Sequence, residues 1–241
     1  MIAEWAVEAR WLLVLVRDPR FERYALVALS GAEAGLVRAP VEVLDHQRVA
    51  AVSWDAVRCD QRQVVAGGDW RFALGVMTSL DVMRGAESVG MATRMVEMTC
   101  GYVGARRQFD RQLSTFQVVQ HRCARMLVAT TAAALAIREA VVGIDAGSGS
   151  FLQMLIAGRA AVRSLEEVAM EASLLHGAVG FMAEHPLARL FRRAGAAKCR
   201  AGPFSCFEEA VMAEISAVRY GGAPGALGDV YPWLIDDAKE T

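Results

Sequence analysis

The sequence predicts a mainly α-helical protein with a small β segment at its start, on three observations. From residue 11 to about 67, short runs of β-favouring residues (WLLVLV, YALVALS, VAAVSW and RQVVAGG) are broken by turn residues such as Asp18-Pro19 and Gly31. From Trp70 onward, apolar residues recur at helical spacing. The balance of 54% hydrophobic and 22% charged over 241 residues is that of a chain able to bury a sizeable core.

Each element follows from these patterns. The β segment offers about five strands, at the low end for independent stability, and is expected to lean on the rest of the chain. Met91, Met95, Met98 and Tyr102 fall on one helical stripe, and Phe116, Val119, Cys123, Leu127 and Ala134 on a second. A third runs through Phe151, Leu155, Gly158, Val162, Leu165, Ala169 and Ala172. Three helices of roughly thirty residues, far above the ~11-residue mean, joined by polar turns such as DAGSGS at 145–150, describe an up-and-down bundle. Methionine at this spacing reads as core filling. Two shorter helices are expected near 184–199 and 205–218, and the glycine-rich stretch from Tyr220 has no periodicity. The domain reading is a β domain over 1–68, a helical bundle over 69–218 and an irregular tail over 219–241.

Charge and motifs exclude several function classes. A net charge of −1 supplies no general field for nucleic acid or an anionic membrane, so an anion site must be built locally. The longest apolar run, LVATTAAALAI at 127–137, falls short of the ~20 residues needed to cross a bilayer, and Glu4 and Glu8 stand where a signal peptide carries basic residues. The expectation is a cytoplasmic protein with neither membrane nor nucleic acid as partner. Five cysteines, odd in number and without a CxxC, suit reduced and mostly packed thiols, and the dispersed histidines give no metal site. Of 26 basic residues only Lys198 and Lys239 are lysine, a skew that reads as GC-rich coding. GSGSFL at 147–152 lies between two helices and reads as a turn, and there is no GxSxG, HExxH or Walker sequence. Glu166-Glu167, Glu208-Glu209 and Asp236-Asp237 are adjacent in sequence, which points each pair apart on a helix.

Two stretches carry chemistry. GARRQFDRQLSTFQ, 104–117, gathers Arg106, Arg107 and Arg111 around Phe109, with a long helix expected to begin just beyond. A helix start offers free N–H groups and a positive dipole end, and a guanidinium grips phosphate through two bonds. Phe109 would then be a flat apolar wall for a nucleotide. Taken alone, the stretch reads more simply as solvated arginines around a buried phenylalanine anchor. In LLHGAVGFMAEHPLARLFRRA, 174–194, Gly177 and Gly180 interrupt a helix that restarts at Glu184-His185-Pro186. The backbone is thereby open to close approach, although a plain interhelical connection describes it almost as well.

Together these stretches resemble the C-terminal half of the acyl-CoA dehydrogenase family. The family's R-x-x-F-G followed by F-Q-x-x-Q-H-x-x-A-D-M is similar to Arg106-Arg107-Gln108-Phe109-Asp110 and Phe116-Gln117 through Met126. Its Q-x-x-G-G-x-G-(F/Y)-x-x-E-(H/Y)-P resembles Leu174 through Pro186, and SWDAVR at 53–58 is similar to the strand closing its middle β domain. The resemblance implies an acyl-CoA dehydrogenase-like C-terminal helical bundle preceded by a partial middle β domain. It also implies subunits assembled around a dyad, so that the arginine and phenylalanine of one reach the ADP half of FAD held by its neighbour. The carry-over places Arg106, Gln108 and Phe109 on that cofactor, Leu113, Phe116 and Val119 on its adenine side, and the Gly177-Ala178 backbone against it. Asp81 and Arg84 would stand near an acyl-CoA thioester.

The departures shape the expected function. Family members place the catalytic carboxylate in a Y-E-G-T loop or an L-D-x-E-R turn, and those positions here are Ala201 and Met83. A base for α-proton removal must be a carboxylate held dry, so neither can serve. Leu174, Ala178 and Asp110 replace the usual glutamine and two glycines. The resemblance therefore implies a catalytically incomplete subunit of an FAD-dependent, heteromeric enzyme acting on steroid or bulky acyl-CoA thioesters. Its partner would be a full-length paralogue, or otherwise a second copy. The alternatives are an active dehydrogenase with a displaced base at Glu208 or Glu209, and a non-enzymatic scaffold that binds no FAD.

Overall fold

The structure, a computed structural model, describes residues 2–18 and 23–200. Ala201, Glu208, Glu209, the expected helix near 205–218 and the tail lie outside the described residues. The chain divides into two compact units, one running to Met77 and the other from Thr78.

Among the described residues the first unit holds six strands, β1 (Ile2–Glu4), β2 (Trp11–Asp18), β3 (Arg23–Ser30), β4 (Leu36–Val41), β5 (Val49–Trp54) and β6 (Val64–Gly68). They form two three-stranded antiparallel sheets, ordered β2-β3-β6 and β1-β5-β4. A bulge between Leu26 and Val27 breaks the two-residue alternation of β3, which is why Tyr24, Val27 and Leu29 are all buried. The four runs named in the sequence correspond to β2, β3, β5 and β6; β1, which is short, and β4, which contains Pro40, were not among them. Proline is tolerated there because β4 is an edge strand. Arg38 braces the connection after β1 by donating from Nη1 to the carbonyls of Ala6 (2.8 Å) and Ala9 (3.0 Å).

The second unit is the bundle. Helix α1 (Trp70–Ala105) starts in the first unit and continues into it, followed by α2 (Gln117–Asp145), α3 (Phe151–His176) and α4 (Pro186–Arg200). Between α1 and α2 lies a hairpin of β7 (Arg107–Gln108) and β8 (Arg111–Gln112). Met91 and Met95 of α1, Met126 of α2, Leu165 and Val168 of α3 and Leu187 of α4 meet in one apolar cluster, so the methionine stripe is core. A second cluster joins Val82, Ile137 and Met154. Where α1 crosses α3 the helices almost touch: a Cβ on Gly158 would lie 2.9 Å from the Asp81 carbonyl oxygen. Ion pairs of Arg193 with Glu87 and of Lys198 with Glu166 tie α4 to α1 and α3.

The buried stripe of α2 differs from the one expected. It runs Val119, Met126, Thr130, Ala133, Ile137 and Ala140, whereas Leu127 is 57% exposed. Val118, Val128, Leu135 and Val142 join Leu127 in an apolar face turned outward. An all-round apolar helix has no single stripe to read, which is why periodicity misplaced it. By length and composition α2 is also apolar enough to cross a bilayer, because beyond the charged pair Arg138-Glu139 the run at 127–137 resumes as AVVGI at 140–144.

Candidate functional site

The Arg106 stretch is a two-residue β-hairpin and not the start of a helix. Arg107 pairs with Gln112 and Gln108 with Arg111, and the turn residues Phe109 and Asp110 both have positive φ, 52° and 61°. Such a turn matches the twist of paired strands, but it favours glycine and asparagine, so this turn stores strain. Phe109 is 85% exposed and therefore no buried anchor. A strained turn that lifts an aromatic ring into solvent is costly unless the ring meets something. Helix α2 begins only at Gln117, after a short 3-10 turn at Leu113–Thr115, with no side-chain cap at Phe116. The expected helix N-terminus beside the arginines is thus displaced by eight residues from Phe109.

The three arginines are not equivalent. Arg107 donates from Nη2 to the Asp110 carbonyl at 2.8 Å, which braces the turn. Arg111 lies over the Phe116 ring, 3.8 Å from its centroid, and Phe109 meets the same ring edge-on at 6.3 Å. Arg106 is exposed, and among the described residues its guanidinium has no partner. Its backbone is fixed from both sides, its N–H donating to Tyr102 and its carbonyl accepting from Leu113. Arg106 therefore presents an exposed guanidinium from a held backbone. Leu113 and Phe116 are half-buried beside the hairpin and Val119 is buried; Gln108 and Asp110 are exposed.

The second stretch comes to the same end of the bundle. Helix α3 ends at His176, and Gly177 follows with φ 62° and ψ −146°, a conformation open essentially to glycine alone. A 3-10 turn, Gly177–Phe181, leads to α4, whose start is capped by His185 Nδ1 accepting from the Leu187 N–H at 3.2 Å. Gly177 and Ala178 are exposed, while Gly180 is packed so closely that a Cβ would meet that of His176 at 2.9 Å.

Two residues with no site role in the sequence reading, where Tyr102 is only a member of a core stripe, join these stretches. Tyr102, four residues before Arg106, stacks on the His176 ring at a centroid distance of 4.4 Å, and its hydroxyl donates to the His176 carbonyl at 3.4 Å. His176 is buried, its Nδ1–H donating to the Ala172 carbonyl at 2.8 Å and its ring lying edge-on to His185 at 5.2 Å. Burial holds the His176 pKa below the ordinary imidazole value; His185 adds to this and the Ala172 bond opposes it. The only advance signal was a histidine immediately before the helix-ending glycine. The aromatic bridge spans 74 residues of sequence and places the Arg106 hairpin and the Gly177 turn side by side.

The other predicted positions lie elsewhere. Asp81 is packed against α3 at Gly158, and burial raises its pKa while Arg159 and Arg84 pull it down. Met83 is 60% exposed and Arg84 is also exposed. Arg84 precedes Ala105 by 21 positions of one continuous helix, a separation of about 32 Å. The structure therefore does not bring the Asp81 and Arg84 region together with the Arg106 hairpin. An open depression of about 390 Å³, lined by Ala136, Glu139, Leu152 and Ile156 among others, lies at the opposite end of α2 and offers no cation.

Comparison with known proteins assigns this architecture. The family model of the acyl-CoA dehydrogenase C-terminal domain matches residues 70–215. The chain belongs to the acyl-CoA dehydrogenase family. Acyl-CoA dehydrogenase IpdE2 of Mycobacterium tuberculosis is 31% identical over 120 residues, which is 50% of this chain and 36% of that protein. The ChsE4-ChsE5 complex from Mycobacterium tuberculosis superposes with a TM-score of 0.79 at 22% identity, covering 88% of this chain and 57% of that one. A variant of the Tcur3481-Tcur3483 steroid acyl-CoA dehydrogenase gives 0.81 at 22% identity, covering 90% and 58%. The chain thus spans little more than half the length of these solved relatives.

Proposed function

We propose that this chain is a subunit of a heteromeric, FAD-dependent acyl-CoA dehydrogenase, contributing its Arg106 hairpin to a flavin held mainly by a full-length partner. The observation that carries the reading is the unengaged Arg106 guanidinium beside the exposed Phe109, with the open Gly177 backbone on the same end of the bundle. These side chains fit the ADP end of the cofactor: a guanidinium for the diphosphate, and aromatic faces at Phe109 and Phe116 for the adenosine. Asp110 is the one feature that fits poorly, since its carboxylate stands near the diphosphate. When bound, the flavin supplies the two-electron acceptor for α,β-dehydrogenation.

The separation of about 32 Å along α1 keeps the hairpin away from the Asp81 and Arg84 region of the same chain. The hairpin then serves a neighbour's cofactor while Asp81 and Arg84 lie toward this chain's own acyl side. Met83 and Ala201 occupy the positions at which family members carry the base, so we take the chain to be inactive alone. The apolar outward face of α2 favours assembly with a paralogue or a second copy. That related structures are named as a two-protein complex and as a steroid enzyme favours a heteromer acting on bulky acyl-CoA thioesters.

Co-expression with a full-length, glutamate-bearing family member tests this. The pair should co-purify yellow and oxidise an acyl-CoA with an artificial acceptor, and the isolated chain should do neither. Turnover by the isolated chain that is lost in Glu208→Gln or Glu209→Gln would establish a displaced base instead. A colourless, inactive pair would leave a scaffold that binds no flavin.

A further inference from the structure

We propose that β2 is a docking edge for a second copy of this chain, pairing antiparallel with the same strand of that copy about a two-fold axis at Val14. Among the described residues β2 stands at the end of its sheet and pairs with β3 alone. Its other edge therefore presents backbone N–H and C=O groups to a further strand. Folded chains blunt such edges, and the other edges of these two sheets are blunted. Strand β6 meets β3 at a bulge and ends in Gly67-Gly68, β4 contains Pro40, and β1 has only three residues. Strand β2 carries none of these devices. It runs for eight residues, about 26 Å, in unbroken register with β3, and from Trp11 to Val16 it has no charge, proline or glycine. Its outer face is apolar as well, with Trp11 57% and Leu13 64% exposed.

The occupant follows from the chemistry of β2, which is nearly the same read in either direction. Laid antiparallel on itself with Val14 opposite Val14, the strand sets Leu13 against Leu15, Leu12 against Val16 and Trp11 against Arg17. An interface between two identical copies about a two-fold axis has to be complementary to itself, and this register is. On the outer face it makes two Leu13–Leu15 pairs and, at each end, puts a guanidinium beside an indole, a favourable cation–aromatic arrangement. On the inner face Leu12, Val14 and Val16, which pack with Val27 and Leu29 in one apolar cluster, meet their own counterparts. Sliding the register by one residue would set the inner face of one copy beside the outer face of the other. The joined sheet has the order β6-β3-β2-β2-β3-β6 and ends on both sides at the blunted β6, so pairing stops at two copies.

This edge belongs to the first unit alone, so the pairing and the flavin reading can fail separately. The test is sedimentation equilibrium of the purified chain over a range of concentrations, with circular dichroism to verify that each variant is folded. The unsubstituted chain should reach at least twice its 26.1 kDa, and amide exchange over Trp11–Val16 should slow as concentration rises. Leu13→Lys should halve the mass at the same concentration, and so should Leu15→Glu, because each sets a charge against a leucine of the other copy. An equimolar mixture of these two variants should recover the doubled mass, since the introduced ammonium of one copy then faces the introduced carboxylate of the other. No other register brings positions 13 and 15 together in this way. Trp11→Ala, at an exposed position, leaves the core untouched and should weaken association roughly tenfold by removing both cation–aromatic pairs. A chain that stays monomeric at every concentration, a doubled mass that Leu13→Lys and Trp11→Ala leave unchanged, or folded variants that remain monomeric when mixed would each overturn the proposal.

Discussion

Replacing Gly177 with alanine isolates the backbone requirement at the turn that ends α3. A Cβ placed there meets nothing within 4 Å, so space is not the obstacle. The obstacle is conformation, since φ is 62° with ψ −146°, a region that L-residues scarcely enter. Holding an alanine in such a region costs about 1–3 kcal/mol. With a urea m-value of about 2 kcal/mol/M, a 2 kcal/mol loss lowers the unfolding midpoint by about 1 M. Asparagine should not rescue it, because asparagine tolerates the left-handed helical well and this ψ lies outside that well. Gly180→Ala provides the steric contrast. Its φ is not positive, but its Cβ would lie 2.9 Å from that of His176 and 3.1 Å from Leu187 Cδ2. Urea denaturation of the three variants, followed by circular dichroism, is the assay. A midpoint for Gly177→Ala within about 0.2 M of the parent would refute the argument that this turn depends on glycine's φ.

Two further outcomes follow from the same end of the bundle. His176 titrates below its ordinary value of 6.5 in the folded chain, so as pH falls the unfolded chain takes up the proton first. Its contribution is therefore fully present above pH 6.5 and declines as pH falls from there toward the folded pKa; urea midpoints measured across this range should fall, and His176→Phe should flatten the slope, whereas an unchanged slope would assign the acid sensitivity elsewhere. Asp110→Gly relieves a positive φ and removes a carboxylate beside the proposed diphosphate site, and should raise stability by about 1 kcal/mol and increase flavin retention in the assembled pair; reduced stability, measured by the same denaturation, would count against the strain argument.

The long helices were legible because core-facing residues of α1 and α3 repeat at 3.6, and DAGSGS at 145–150 marks the junction of α2 with α3. Helix α2 was misread because alanine, valine and leucine cover both of its faces, leaving no contrast for a period to report. The strand β4 was hidden by Pro40, which an edge position excuses. The arginine cluster was visible in sequence, but its form was not. A hairpin turn at Phe109-Asp110 violates the residue preferences of such turns, and local rules tend to break where a site is built. The bridge from Tyr102 to His176 depends on two helices meeting 74 residues apart, which no local pattern encodes.

The most direct measurement is flavin retention in the co-purified pair after Arg106→Ala, with Arg107→Ala as the matched control. Arg106 has no partner among the described residues, whereas Arg107 is spent on the Asp110 carbonyl. Losing a charge-assisted bond to a diphosphate should cost about 1.5–3 kcal/mol, a weakening of roughly 10- to 100-fold in flavin affinity. The account predicts a colourless or strongly flavin-depleted Arg106→Ala pair that still assembles, beside a yellow Arg107→Ala pair. Full flavin retention in an intact Arg106→Ala pair would contradict it.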